Sequence, residues 1–396
     1  MAYDFTTRVD RSCAGSLKWD LMRAADPKVP AGIVPLTLED MEYRAAPELL
    51  HLFADLSRGA DLGLPAAEES YLEAVCAWQR RRHGWELKRA WTVPVAGVEL
   101  ALHAAVRALT EPGDGIIVQE PAGEEVRAAI EHCGRVTVGN PLKLDGGRHE
   151  MDFRDLERKA ALANTRALIL CSPHNPCGRV WSASELSRVL KICTSHDVAL
   201  IVDETRDDLA LPPYEHVALM GLPEAACARV IDITSPCTSF NLAGVPCANV
   251  FIAHEDVRER FCAALAETGV TRLPALSYLA CETAYTSCAR WLDELLVALA
   301  RNRETLNGFF SSYLPSVGVA PLEGTYLQWL DFSAWHLEQD ALMRLLTREA
   351  HLFVMDGTRF GQGGEGCVRL NLACPPMVLH EALGRLLAAA KAHELT

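Results

Sequence analysis

Short apolar runs recur through the middle of the chain, at Gly115–Gln119, Arg135–Val138, Ala167–Cys171, Val198–Val202, Val230–Ile233 and Ala248–Ala253. Between several of them the apolar positions fall on one face of a helix, near Glu124–His132, Asp155–Ala163 and Ser182–Ser195. Ser182 and Glu185 have capping-box spacing, in which each side chain takes up a free N–H of the helix start. Unbroken apolar strands that alternate with helices predict a mostly parallel sheet covered on both faces.

On either side of this alternation the pattern changes. Tyr71, Leu72, Val75 and Trp78 give helical spacing over Glu68–Arg82, and a further helix is expected from Val98 to the turn Glu111-Pro112-Gly113-Asp114. Long helical patterns cover Leu276–Ala289 and Trp291–Phe310. Strands are then expected at Tyr326–Asp331, Leu352–Met355 and Val368–Leu372, and helices at Gln339–Glu349 and Val378–His393. The expected organisation is an N-terminal arm over 1–45 that contributes to the small domain, and a large α/β domain over 46–285. A small α+β domain over 286–396, with a bridging helix, completes it. No internal repeat is evident.

The chain has 396 residues, 49% of them hydrophobic and 23% charged, which is ample material for large cores and unlike a disordered chain. Its 38 Lys and Arg against 52 Asp and Glu give a net charge of −14, which argues against a nucleic-acid binder or a polybasic membrane-surface protein. Fourteen cysteines are few for a disulfide scaffold of this length, and no C-x-x-C pair suggests a zinc knuckle. The opening MAYDFTTRVDRS has no apolar signal core, and no run approaches a membrane span. A soluble cytoplasmic protein without a metal is expected.

In an open parallel sheet, ligands bind beyond the carboxyl ends of the strands. Polar, turn-rich segments stand at those ends: Ser172–Pro176, Asp203–Asp208 and Thr234–Ser239. Asp203 directly follows an apolar strand and either lines a site or serves as a cap or loop ion pair. Asn175 sits in a rigid turn from which an amide can reach a ligand oxygen. Gly97, before the helix at Val98, lets a helix N-terminus approach an anion. Arg369, inside the strand VRLNLA, presents a bidentate guanidinium to a carboxylate or forms a structural pair.

Several blocks taken together resemble one family. They are Gly15–Asp20 (GSLKWD), Cys171–Trp181 (CSPHNPCGRVW), Asn241–Gly244 (NLAG), Glu323–Tyr326 (EGTY) and Gly361–Pro375 (GQGGEGCVRLNLACP). The chain resembles the MalY/PatB-type cystathionine β-lyase (C–S lyase) group of the class I/II aminotransferase superfamily. The resemblance implies fold type I, a homodimer and a pyridoxal 5′-phosphate site. It further implies that Asn175 meets the cofactor O3′, Asp203 the pyridine nitrogen and Arg369 the substrate carboxylate, while Gly97 and Val98 hold the phosphate.

Against the same pattern, Thr238 stands where the family has its Schiff-base lysine, and Cys237 replaces a phosphate-contacting hydroxyl. Gly123 stands for a ring-stacking tyrosine, Leu64 for an interface tyrosine and Thr37 for a tryptophan. The segment Glu39-Asp40-Met41-Glu42 stands for Ala-Asp-Met-Asp, and Asp203-Glu204-Thr205-Arg206 for Asp-Glu-Ile-His. After Lys191 no lysine occurs until Lys391, and neither falls in a segment expected at the pocket. A threonine has no amine for covalent catalysis and no ammonium to move a proton.

Three readings follow. The first is a repurposed enzyme that needs no cofactor and acts on a small amino-acid-derived or carboxylate substrate. Arg369, Asn175 and Asp203 then hold the ligand, and Cys237, Thr238, Arg206 and Glu124 are the candidates for chemistry. Cys237 is equally readable as a buried thiol beside a turn. The second is a pseudoenzyme that binds a small molecule or stabilises a partner. The third is noncovalent use of pyridoxal or pyridoxamine phosphate held by Asp203, Asn175, Gly97 and Val98.

Overall fold

The computed structural model describes residues 3–59 and 63–395; the first two residues of the opening segment and Thr396 lie outside the described residues. In chain order the strands are β1 (Thr92–Val95), β2 (Gly115–Glu120), β3 (Val136–Pro141), a hairpin of β4 (Lys143–Asp145) and β5 (Arg148–Glu150), β6 (Thr165–Cys171), β7 (Ala199–Asp203), β8 (Val230–Thr234) and β9 (Ala248–Phe251). The later strands are β10 (Gly318–Val319), β11 (Leu327–Asp331), β12 (Met355–Asp356) and β13 (Cys367–Asn371).

Seven of them form one sheet in the order β1-β9-β8-β7-β6-β2-β3. The five strands from β3 to β8 are parallel, whereas β9 pairs antiparallel with both β8 and β1. The two-residue side-chain period sends successive residues to opposite faces, and both faces are apolar. Ile116, Val118, Ile169 and Ile201 pack into one core, with helices Val98–Leu109 and Glu255–Glu267. Ile117, Leu168, Leu170, Leu200 and Val202 pack into the other, against helix Ala183–Ser195. That helix begins with the expected reciprocal capping box of Ser182 and Glu185.

The second sheet, β10-β11-β13-β12, is antiparallel. The N-terminal segment joins it through the backbone: the N–H of Leu36 donates to Phe353 O, and the N–H of Asn371 donates to Leu36 O, at 2.9 and 3.0 Å. A buried cluster of Trp19, Met22, Leu36, Trp291, Leu330 and Leu370 runs through this region.

Departures from the sequence pattern have local causes. The expected strand Leu352–Met355 shrinks to β12, because the carbonyl of Phe353 is taken by Leu36. The helix expected over Gln339–Glu349 is α-helical only to Arg344 and ends in a π-helical turn. Strand β1, an edge strand of four residues that includes Pro94, gave too short a signal to register. Helix Leu17–Ala25 hides in the arm because its apolar face is narrow, Trp19 and Met22 being buried and Leu17 exposed. Among the described residues no helix is long and apolar enough to cross a membrane.

Leu200 is fully buried on β7, the fourth and central strand of the seven. Leu200→Ala is expected to lower unfolding stability by about 2–5 kcal/mol through lost transfer energy and a residual cavity, as read by denaturant unfolding.

Candidate active site

Strand order reverses between β2 and β6, since the chain runs from β2 outward to β3 and then crosses back to β6 and β7. The crevice at such a reversal lies beyond the carboxyl ends of the strands. Asp203 is the last residue of β7 and is anchored there, its carbonyl accepting from the N–H of Ser172 at 2.9 Å. Its Oδ1 accepts from the amide and hydroxyl of Thr205 at 3.1 and 2.5 Å. The next turn folds Arg206 back over the strand end, where its Nη1 lies 3.3 Å from Asp203 Oδ2.

Asn175 enters from the loop after β6 and Arg369 from the middle of β13, opposite Trp329. The guanidinium of Arg369 lies over the ring of Phe360, 4.9 Å from its centroid, and Nη1 donates to Asn175 Oδ1 at 2.8 Å. Four of the sequence candidates, Asp203, Asn175, Arg369 and Arg206, therefore meet in one buried place.

What joins them is Glu39, from the N-terminal arm. Its Oε1 accepts from Arg369 Nη1 at 2.9 Å and from Asn175 Nδ2 at 3.0 Å, while its Oε2 accepts from Arg206 Nη2 at 2.6 Å. Its backbone is held as well, by the hydroxyl of Tyr326 donating to Glu39 O. A second carboxylate, Glu125, approaches the same groups: Asn175 Nδ2 donates to its Oε1 at 3.3 Å, and Arg206 Nη2 lies 3.6 Å away. Its side chain fills the space beside Gly123, where an added Cβ would run into the carboxylate.

Three carboxylates thus face two guanidiniums, and the proton affinities of Glu39 and Glu125 diverge. Burial opposes ionisation of Glu39, but Arg206 and Arg369 outweigh it and hold its pKa down at about 2. Burial raises that of Glu125, and the charge of Glu39 raises it further. Arg206 and Arg369 each retain a buried Nε–H without a hydrogen-bond partner. Glu39 also forms part of the wall of an adjoining cavity of about 430 Å³, whose other walls include Lys18, Cys237, Thr238 and Gly244.

The remaining candidates lie elsewhere in this arrangement. Glu124 is a correction: its side chain turns outward to Arg359, at 2.6 Å and 56% exposed, and its neighbour Glu125 is the one that enters the site. Helix geometry decides this, because successive residues at a helix start point about 100° apart. Cys237 and Thr238 sit on the short helix Pro236–Ser239, on the cavity side of Glu39. The Cys237 thiol donates to Val245 O at 3.2 Å, and burial pushes its pKa up, the opposite of an activated thiolate. Gly97 precedes helix Val98–Leu109 with φ 119°, a conformation open to glycine, and an added Cβ there would lie 3.5 Å from Pro246 in the segment before β9. His174 is buried against Trp181, and burial lowers its pKa to about 3, so the ring is neutral.

The amine nearest this cavity is Lys18, which the sequence shows only as part of the GSLKWD block of the arm, far from the strand ends in chain order. Its ammonium reaches the cavity wall but is clamped by Asp40 O at 2.7 Å and Glu42 Oε1 at 3.0 Å. The signal for Glu39 was legible as a carboxylate standing where the resembled pattern has alanine.

Comparison with known proteins agrees with this architecture. The family described as aminotransferase class I and II matches residues 42–386. The chain is 32% identical to cystathionine β-lyase PatB of Bacillus subtilis over 98% of its own length and 99% of that protein. The chain belongs to the class I and II aminotransferase family. Within it, the relatives place it in the MalY/PatB-type cystathionine β-lyase group, protein MalY of Escherichia coli being 27% identical over 98% of this chain and 99% of its own. The solved structure of cystalysin from Treponema denticola, which contains pyridoxal 5′-phosphate, superimposes with a TM-score of 0.97. It is 38% identical, covering 99% of this chain and 100% of that one.

For an aminotransferase-family protein, an ion-pair network filling this crevice has a measurable signature. The folded pKa of Glu39 lies below its ordinary 4.5, so its stabilising contribution is complete above that value and is lost as pH falls toward about 2. Glu125 is shifted the other way, so its ionised form opposes folding at neutral pH. Glu39→Gln is expected to destabilise the fold at pH 7 by an amount that shrinks below about pH 4.5, and Glu125→Gln to leave it equal or more stable at pH 7. Urea unfolding of both variants across that range checks the opposite signs.

Proposed function

We propose that this member of the C–S lyase group has no lysine at the Schiff-base position, where Thr238 stands, and works without a covalently held cofactor. Its old site takes a small carboxylate-bearing, amino-acid-derived substrate, with Arg369, Arg206 and Asn175 as the carboxylate receptors. The observation that carries this reading is the carboxylate of Glu39, seated on all three at 2.6–3.0 Å as a ligand carboxylate would be. The substrate takes the place of Glu39 and accepts from the unpartnered Nε–H donors of both arginines.

The residues as they stand do not fit pyridoxal phosphate. Asp203, the carboxylate the resemblance assigns to the ring nitrogen, is engaged by Thr205 and Arg206, and a guanidinium beside it disfavours a protonated ring. The space beside Gly123 is filled by Glu125. Glu125, a carboxylate at the receptor site whose proton affinity is raised by burial and by the charge of Glu39, replaces Cys237, Thr238 and Glu124 as the group for proton transfer.

A second reading has its own support. The 38% identical cystalysin contains pyridoxal 5′-phosphate, and Asp203, Asn175 and Gly97 are retained here, which favours noncovalent use of that cofactor or its amine form. In either reading the chain is a homodimer. Supporting that are Leu64, 91% exposed, and Leu279, which share one surface groove. Sedimentation of the purified chain at the mass of two copies is the expected outcome, and a monomer removes the dimer from the proposal.

Calorimetry with pyridoxal phosphate, pyridoxamine phosphate and a set of small mono- and dicarboxylates separates the readings. On the first, carboxylates bind, Arg369→Gln abolishes binding, and Glu39→Gln tightens it by roughly tenfold or more as the internal competitor loses its charge. Stoichiometric cofactor binding that Asp203→Ala removes selects the second. Binding of carboxylates without turnover of any amino-acid-derived compound marks a binding protein, and binding of neither class overturns both readings.

A further inference from the structure

A second cluster of ionisable side chains stands beside the site, on the same segment after β7, and the proposed function makes no use of it. His83 ends the π-helical turn Gln79–His83, a conformation that is rare and concentrated at functional sites. Its Nε2 lies 3.3 Å from Asp207 Oδ2 and 3.1 Å from Asp208 Oδ1, and all three side chains are at most 4% exposed. These ligand atoms lie within 4.8 Å of one another. Tetrahedral zinc with bonds near 2.0 Å sets its ligand atoms ~3.3 Å apart, close to the spacing on both His83 edges.

His216 provides an independent observation. Its side chain is 3% exposed, and it shares a cavity of about 510 Å³ with His83, Asp207 and Asp208. It packs edge-on against His83 with ring centroids 5.4 Å apart. Neither of its ring nitrogens has a hydrogen-bond partner, the carboxylate of Glu204 approaching Nε2 only to 3.5 Å. Asp208 Oδ2 is likewise buried and unpartnered, while its Oδ1 accepts from Trp78 Nε1 at 3.0 Å. Buried polar groups are normally satisfied, and buried carboxylates are paired or coordinate a metal. Here Glu204, Asp207 and Asp208 are all buried close to the two histidines.

We propose that His83, Asp207 and Asp208 form a site for one divalent transition-metal ion, and that His216, which stands beyond 4.8 Å from at least one of their ligand atoms in the shared cavity, moves in as the fourth ligand. Two imidazoles and two carboxylates suit zinc, cobalt or manganese, and the absence of a thiolate disfavours softer ions. The ion ties the turn at residues 79–83 to the 204–209 segment, which also carries Arg206, so it stiffens the wall of the carboxylate site.

The test uses the full chain, stripped with a chelator and titrated separately with Zn²⁺ and Co²⁺, with metal content measured by mass spectrometry. One ion per chain and a raised Tm are expected, the Tm rise following from selective binding to the folded state. The cobalt adduct should lack the intense near-ultraviolet thiolate band that binding at the exposed Cys13, Cys227 or Cys262 would produce. Asp207→Asn and His216→Gln should each weaken binding by about tenfold or more, while Cys227→Ser leaves it unchanged. Asp207 is the carboxylate to change first, because Asp208 also holds Trp78 and its loss would disturb the core. Absence of a stoichiometric ion, a thiolate band, or undiminished binding in both variants overturns the proposal.

Discussion

Two guanidiniums sharing one buried pocket repel each other and are tolerated only if carboxylates are placed between them. In this protein that carboxylate is Glu39, which touches Arg206 at 2.6 Å and Arg369 at 2.9 Å. The three come from three parts of the chain: the arm, the turn after β7 and strand β13. Removing any one leaves an uncompensated buried charge, which is far more costly than the pair itself is stabilising. The ion cluster therefore acts as a clasp between the two sheets, as well as deciding what the crevice can accept.

The seven-stranded sheet makes the clasp possible. Parallel strands buried on both faces are stiff, and their carboxyl ends bring Asp203 and the loop of Asn175 to one level beside the strand-order reversal. The antiparallel sheet supplies Arg369 from the interior of a strand, where backbone pairing on both sides fixes its position. The arm is pinned by Leu36 between Phe353 and Asn371, so Glu39 arrives three residues later at a fixed height. A carboxylate on so short a tether competes strongly with any free acid, since its effective concentration is high.

Much of the fold was legible because its core strands are short apolar runs between helices, a pattern with few architectural solutions. What escaped had weak local signals: the edge strand with Pro94, the narrow-faced helix over Leu17–Ala25, and the junction where Leu36 displaces part of an expected strand. At the site, Asp203, Asn175, Arg206 and Arg369 were legible because each interrupts an apolar or turn context with a group suited to ligand binding. Glu39 was visible only as a departure from the family pattern, with nothing in the arm to aim it at the strand ends, and Glu125 was one acidic residue among many in a chain of net charge −14. Choosing between Glu124 and Glu125 requires the helix phase, which sequence alone does not set to within one residue.

The departures from the family pattern read as one coupled change when they are placed in space. Arg206, standing for a histidine, would set a second cation beside Arg369; Glu39, standing for an alanine, supplies the charge that balances it. Glu125 reaches the same network only because position 123 is a glycine, since a larger residue there would collide with its carboxylate. Independent decay of an idle pocket would scatter substitutions without regard to charge or volume. Here each new charge has a partner within 4 Å and the lost ring volume is refilled by a side chain that bonds to Asn175. A buried polar network is stable only when every member is satisfied, and that complementarity is what the proposed carboxylate site requires.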